Sequence, residues 1–265
     1  FIARADKTNR RTRCSCEVEL THGGKSNLFA TLGLMLIYAH RGASADFPEL
    51  TMAAYEAAVE QGADGFECDL RITKDEVPIL WHNASMLERA GNRGLIAEMT
   101  YKEVSRAYPQ VLTLDTFLDY AISNKKGVLL ETKHPVFSGN RVEELLVDAL
   151  HEKKALAKIA VSVMSFSWLA VEKMRRLDST INTTFLMHKK TPWLQARFSS
   201  SSAIGPGMNE LRAEPVMAKK IRSLGRSLNV WTVDKDDDIR LCQKLGVDIL
   251  ITNKPAHARE VLRYP

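Results

Sequence analysis

The sequence predicts a (β/α)8 TIM barrel with a small insertion after the second strand. Three observations predict it. From residue 34 onward, short apolar runs alternate with helix-like segments, the pattern of right-handed crossovers that build a parallel sheet. Eight such units fit a chain of 265 residues, an ordinary length for one barrel. Polar residues capable of chemistry stand at the C-terminal ends of the runs, where barrels build their active sites. A doubly wound open sheet would want a glycine-rich loop after the first strand. None follows it here.

The elements read in order as follows. The run Leu34-Met35-Leu36-Ile37-Tyr38 opens a buried strand over 34–41. Residues 51–61 form a helix, with Thr51 as its cap or in its first turn and an apolar face at Ala54, Ala57 and Ala58. Strand two is 65–72. A polar turn leads to an extended segment, 77–82, ending in His82. Residues 83–113 depart from the repeat and form the insertion, with a short helix near 101–107. The repeat then resumes with a helix over 114–125, a strand over 127–133 and a helix over 140–154. Further strands are expected at 159–165, 182–187, 203–208, 228–233 and 248–252. Helices at 168–177, 215–224 and 236–245 separate several of them, and a last helix begins at Pro255. Residues 34–265 thus read as one catalytic domain, and 1–33, mixed in charge and without periodicity, as a leader or appended segment outside the core.

Composition narrows the function. The net charge is +5 and the basic residues are scattered, with no basic run interleaved with aromatics, so nothing points to nucleic acid. The most apolar stretch, 28–39, is too short to span a bilayer, so no stable membrane insertion is expected. It resembles a secretion signal superficially, but its end leads straight into His40-Arg41-Gly42, which cleavage would strip of its strand. Cys14 and Cys16 are too close for an easy bridge, and Cys68 and Cys242 complete no disulfide or zinc spacing. This suits a cytoplasmic protein, with secretion left open.

The chemistry starts from Glu67 and Asp69. At i and i+2 on a strand they point to the same side, with Cys68 facing away into packing. Two carboxylates in an apolar strand need a cation or a shared proton. Glu131 adds a third hard oxygen donor on the next strand, a set that suits Mg²⁺ or Ca²⁺ better than zinc. Lys133 shares the face of Glu131 and offers a positive charge. Arg41 suits a phosphate, and His40 and His82 suit proton transfer near neutrality. A divalent ion, an arginine, a lysine and two histidines describe a site for phosphodiester cleavage. Trp231, at the end of the seventh strand, is a candidate to stack on a substrate.

These residues resemble the glycerophosphodiester phosphodiesterase family. The resemblance rests on His40-Arg41-Gly42-Ala43, Pro48-Glu49, Thr51, Gly62-Ala63-Asp64, Glu67-x-Asp69, Thr73-Lys74-Asp75 and His82. Later pieces are Leu130-Glu131-Thr132-Lys133, Ser165-Phe166, Val230-Trp231-Thr232-Val233 and Asp248-x-x-Ile251-Thr252-Asn253-x-Pro255. It implies a TIM barrel that hydrolyses small-molecule glycerophosphodiesters to sn-glycerol 3-phosphate and an alcohol, with Mg²⁺ or Ca²⁺. It implies His40 and His82 as the acid/base pair and Glu67, Asp69 and Glu131 as metal ligands. Arg41 and Lys133 would hold phosphate, and Glu49 would be a further metal or substrate-side ligand. Three positions depart from the family pattern: Leu50 for Asn, Glu76 for Gly and Asn83 for Asp. Two other functions fit the same barrel. One is a phospholipase D-like cleavage of lysophospholipids, with a rim of Leu87, Leu95, Ile96 and Trp193. The other is a non-catalytic barrel that binds a phosphate ligand.

Overall fold

The computed structural model describes residues 35–135, 139 and 141–264. Its first turn is built by β1 (Leu36–His40), α1 (Met52–Glu60), β2 (Gly65–Ile72) and a short β3 (Pro78–Leu80). An excursion carries α2 (Leu87–Ala90) and α3 (Tyr101–Ala107) before α4 (Leu114–Ser123) rejoins the barrel. Then come β4 (Gly127–Thr132), α5 (Arg141–Glu152), α6 (Ala155–Lys158), β5 (Val161–Ser165), α7 (Trp168–Leu177) and β6 (Asn182–Met187). The remainder is α8 (Trp193–Phe198), β7 (Ala203–Pro206), α9 (Met208–Ala213), α10 (Val216–Ser223), β8 (Ser227–Val230), α11 (Asp236–Lys244), β9 (Ile249–Thr252) and α12 (Pro255–Leu262).

Eight parallel strands close on themselves, because β1 pairs with both β2 and β9. The fold is therefore the predicted TIM barrel. β3 is an antiparallel addition to β2, pairing Leu70 with Leu80, and it is the extended segment expected after the second strand. The parallel register sets the site. His40 stands level with Glu67 on β2, and Asp69 stands level with Glu131 on β4. Side chains of alternate residues then meet inside the mouth.

The outer core lies between strands and helices in two clusters. One centres on Tyr55, Phe66 and Phe117, whose rings lie 4.7 to 6.1 Å apart. The other joins Ile37, Phe185, Ile204, Leu228 and Leu250 to the later helices. Cys68 faces this packing, as its position between Glu67 and Asp69 requires. Helix α1 begins as expected: the Thr51 side chain accepts from the Ala54 amide, and Ala54, Ala57 and Ala58 are buried. The short helices α2, α6, α8 and α9 were not legible, since four to six residues cannot display a helical period. Cys14, Cys16, the expected leader, Leu34 at the start of the first expected strand and Asn140 at the start of the helix expected over 140–154 lie outside the described residues.

The insertion is a small structure of its own. Ile79, Trp81, Met86, Ile96, Val104 and Val111 form a separate core under it, and α3 carries a full capping box between Thr100 and Glu103. Of the four side chains expected as an apolar rim for a lysophospholipid, one belongs to this core. Leu87 is exposed, but Ile96 is buried and Leu95 and Trp193 are half-buried. Ile96 is part of the core that holds the insertion together, and Trp193 packs outside the insertion, against the later helices.

Candidate active site

The HRG turn is shaped by two residues in left-handed backbone. Arg41 has φ 58° and Gly42 has φ 86°. A Cβ at Gly42 would meet the Ala54 backbone at 2.7 Å, so the turn lies directly on α1 and only glycine fits. The Arg41 amide points into the mouth and donates to Glu67 Oε2 at 3.2 Å. Its side chain reaches Glu49 Oε2 through Nη1 at 2.8 Å and Asp69 Oδ2 through Nε at 2.8 Å. Lys133, just past β4, contacts Asp69 Oδ1 and Glu131 Oε1, both at 2.7 Å.

The structure brings together every residue singled out on the charged side. Oxygens of Glu67, Asp69 and Glu131, one from each, lie within 4.8 Å of one another, and all three residues are buried. His40, Arg41, Glu67, His82, Glu131 and Lys133 line one cavity of about 130 Å³ at the C-terminal end of the strands. Trp231 lines it too, with Met164, Phe166 and Leu186. Glu49 is not one of the three acids of that cluster, and its Oε2 accepts from Arg41 Nη1 at 2.8 Å. A larger cavity, about 650 Å³, lies at the opposite end of the barrel around Tyr38, Leu129 and Asn229, away from these groups.

Both histidines are oriented by an asparagine. His40 Nδ1 lies 2.7 Å from Asn253 Oδ1. The Asn253 amide group is fixed in turn, because its Nδ2 donates to Asp234 Oδ2 at 2.6 Å and its backbone NH to Asp234 Oδ1 at 2.8 Å. The oxygen of Asn253 must therefore face the imidazole, and Nδ1 must carry the proton. That leaves Nε2 with its lone pair, 3.8 Å from Glu67. The arrangement repeats at His82, where Nδ1 lies 2.8 Å from Asn83 Oδ1 and Asn83 Nδ2 donates to Glu88. Asn83 thus orients a ring as an aspartate would, without adding charge. Asn253 and Asp234 as a support for His40 were missed in the sequence. An asparagine after a strand reads as loop chemistry, and its partner is distant in the chain.

The electrostatics are those of a site short of positive charge. Four carboxylates, Glu67, Asp69, Glu131 and Glu49, face Arg41 and Lys133. Burial pushes Glu67 well above the ordinary carboxylate range, and the charge of Asp69 adds to it. Burial and Asp69 likewise raise Glu131, to about 7. Burial opposes the charge on Asp69 too, but Lys133 and Arg41 outweigh it and hold Asp69 low. Burial, helped by Arg41, lowers His40 to about 4. Burial also lowers His82, with Lys133 and Arg41 adding to it and Asp69 opposing.

A divalent cation fits this donor set. Both Asp69 oxygens are buried without a well-aligned hydrogen bond, so their contacts to Arg41 and Lys133 are ion pairs in poor hydrogen-bonding geometry. Glu67 and Glu131 need further positive charge to remain ionised at neutral pH. Hard oxygen ligands in this number suit Mg²⁺ or Ca²⁺.

Comparison with known proteins agrees with this geometry. Residues 40–257 match the model of the glycerophosphoryl diester phosphodiesterase family. A probable glycerophosphodiester phosphodiesterase 1 from Mycobacterium tuberculosis is 32% identical over 258 residues, covering 86% of this chain and 92% of that one. A glycerophosphodiester phosphodiesterase from Caldanaerobacter subterraneus is 26% identical over 233 residues, covering 83% and 94%. Among solved structures, an Oleispira antarctica phosphodiesterase in complex with the product sn-glycerol-3-phosphate superposes with a TM-score of 0.78. It is 19% identical and the match covers 88% of this chain and 99% of that one, a likeness that shows the shared fold.

Proposed function

The chain belongs to the glycerophosphoryl diester phosphodiesterase family and is a phosphoric diester hydrolase of that family; we propose that it cleaves glycerophosphodiesters to sn-glycerol 3-phosphate and an alcohol by metal-dependent, two-histidine catalysis. The observation that carries the reading is the meeting of a buried Glu67–Asp69–Glu131 triad with two asparagine-oriented histidines around one cavity. Glu67, Asp69 and Glu131 would hold Mg²⁺ or Ca²⁺. When bound, the ion would supply charge stabilisation at the phosphate oxygens.

The chain's own residues account for the rest. Arg41 and Lys133 bind the phosphate, with Glu49 and Asp69 holding the arginine in place. His40 and His82 present Nε2 toward the cavity and move protons there. The glycerol 2-hydroxyl of the substrate attacks phosphorus as one histidine takes its proton, and the other gives a proton to the departing alcohol oxygen. Water then opens the resulting cyclic phosphate with the two roles exchanged. The vicinal hydroxyl is already tethered beside the phosphate, which removes most of the entropic cost of bringing a nucleophile to it. Trp231, held by its Nε1–H donating to the Gly205 carbonyl at 2.8 Å, contributes a face of the substrate pocket.

We read residues 34–265 as one catalytic domain whose insertion, 83–113, borders the pocket. The described cysteines, Cys68 and Cys242, are both free and buried, which supports a reducing, cytoplasmic setting. Among the described residues no helix is long and apolar enough to cross a membrane. A cavity ringed by charge favours a small polar diester over a lysophospholipid. The test is release of choline from glycerophosphocholine and from its 2-deoxy analogue, after EDTA and after restoring Mg²⁺ or Ca²⁺. Metal-restored cleavage of the first and not the second is expected. Equal rates on both substrates would refute attack by the 2-hydroxyl.

A further inference from the structure

A second cavity, about 430 Å³, opens on the catalytic face beside the first. Its walls include Met187, His188, Trp193, Glu210, Met217 and Lys220. The two cavities share an aromatic partition. The Phe166 ring lies 5.3 Å from that of Trp231, edge to face, and 5.7 Å from that of His188. Phe166 and Trp231 line the catalytic cavity, and His188 lines the second.

The charges in the second cavity are not equivalent. Lys220 is occupied: its Nζ lies 2.6 Å from Glu214 Oε1 and 5.9 Å from the centre of the Trp193 ring. Lys189 is exposed to solvent. The side chain of Glu210, half-buried, makes no hydrogen bond or ion pair with any of the described residues. Its carboxylate is seated by Gly207. A Cβ there would collide with Glu210 Oε2 and come within 3.7 Å of Trp231 Cζ2. The free carboxylate therefore lies beside the indole that lines the catalytic cavity.

Resting on the phosphodiesterase reading, we propose that the second cavity receives the departing alcohol, and that Glu210 selects alcohols that carry an ammonium group. A carboxylate with no cation of its own, in a cavity lined by Trp193 and His188 and bordering Trp231, is the chemistry that binds an organic ammonium. The apolar Met187 and Met217 accommodate its methyl or methylene groups. The 3-phosphoglycerol half of the substrate stays with Arg41 and Lys133, so the alcohol must leave the charged side of the mouth, and the partition lies on the other side. A competing role for Glu210 is to favour the first turn of α9, where an acid interacts with the exposed amides. That role would alter stability and leave selectivity untouched.

The experiment compares kcat/KM for glycerophosphocholine and glycerophosphoglycerol in the full chain, in Glu210→Gln and in Gly207→Ala. Gly207 has φ −64°, which alanine adopts freely, so Gly207→Ala keeps the acid and moves its carboxylate. The ratio of the two kcat/KM values is expected to fall about tenfold in Glu210→Gln, the loss of one charge-assisted contact, and to fall in the same direction in Gly207→Ala. An unchanged ratio in both variants, whatever their melting temperatures, overturns the proposal. Choline alone, titrated against tryptophan fluorescence, gives a readout free of turnover. Saturable quenching in the native chain that weakens in Glu210→Gln supports the subsite even if no diester is cleaved, which would then count against the phosphodiesterase reading only. Cleavage without any choline response and without a change in ratio counts against the subsite only.

Discussion

The arc of the barrel mouth from β1 to β4 carries His40, Arg41, Glu67, Asp69, His82, Glu131 and Lys133, whereas the arc from β5 to β8 offers Met164, Phe166, Leu186 and Trp231 to the same cavity. The first arc is a closed network in which charge, tautomer and orientation are each fixed by a named partner. The second is held by packing, with one hydrogen bond from Trp231 to Gly205. The contrast teaches a division of labour. Chemistry at a phosphate needs groups placed to a fraction of an ångström and kept there by neighbours. Recognition of what is attached to the phosphate needs shape and surface, which aromatic and thioether side chains supply.

The largest break in this comparison should come from the charged arc. His40→Ala removes one proton carrier, and kcat/KM for glycerophosphocholine is expected to fall by about 10³-fold or more, measured as glycerol 3-phosphate release. The next should come from behind it. Asn253→Ala leaves His40 in place but frees its ring, and a loss of about 10²-fold in kcat is expected with little change in KM. A loss confined to KM would show that Asn253 acts on substrate binding and not on the imidazole.

Smaller effects should come from the apolar arc. Phe166→Ala removes the edge-to-face contact with Trp231 and opens the partition between the two cavities. It should change the ranking of alcohols severalfold while costing the fold about 1 kcal/mol beyond the lost burial, seen by steady-state kinetics and urea melts. If Phe166→Ala instead lowered every substrate alike, the division between the arcs would fail. The smallest effect concerns Leu50. It has φ 58°, is buried, and its amide donates to the Arg41 carbonyl at 2.9 Å. Leu50→Asn relieves about 1 kcal/mol of left-handed strain and forfeits about 2–3 kcal/mol of apolar burial. Stability should therefore drop by about 1–2 kcal/mol, with kcat per folded molecule preserved.

The two arcs also differed in how far the sequence revealed them. The charged arc was legible because acids at i and i+2 in an apolar strand have no ordinary use, and because His40-Arg41 and Glu131-Lys133 end strands in chain order. The apolar arc was not. Met164, Phe166 and Leu186 at strand ends look like any core residue; Phe166 entered only through the family resemblance, and only Trp231 was given a role in the site. The orienting partners were hidden for another reason: Asn253 and Asp234 reach His40 only once the barrel closes β9 against β1. The departures at Leu50 and Glu76 carried a meaning that appeared only in three dimensions. Both have positive φ, 58° and 61°, where Asn or Gly costs least. Leu50 offsets its strain by burial, and Glu76 turns its side chain to Arg141, which donates from Nε at 3.1 Å and Nη2 at 3.0 Å.

The measurement that tests the central claim most directly is calorimetric titration of EDTA-stripped protein with Mg²⁺ and with Ca²⁺, for the native chain and for Glu131→Gln, with glycerol 3-phosphate release followed on the same samples. The account predicts one site per chain in the native protein, activity that rises with its occupancy, and loss of both in Glu131→Gln. Full activity in the stripped protein, with no binding of either ion, would contradict it.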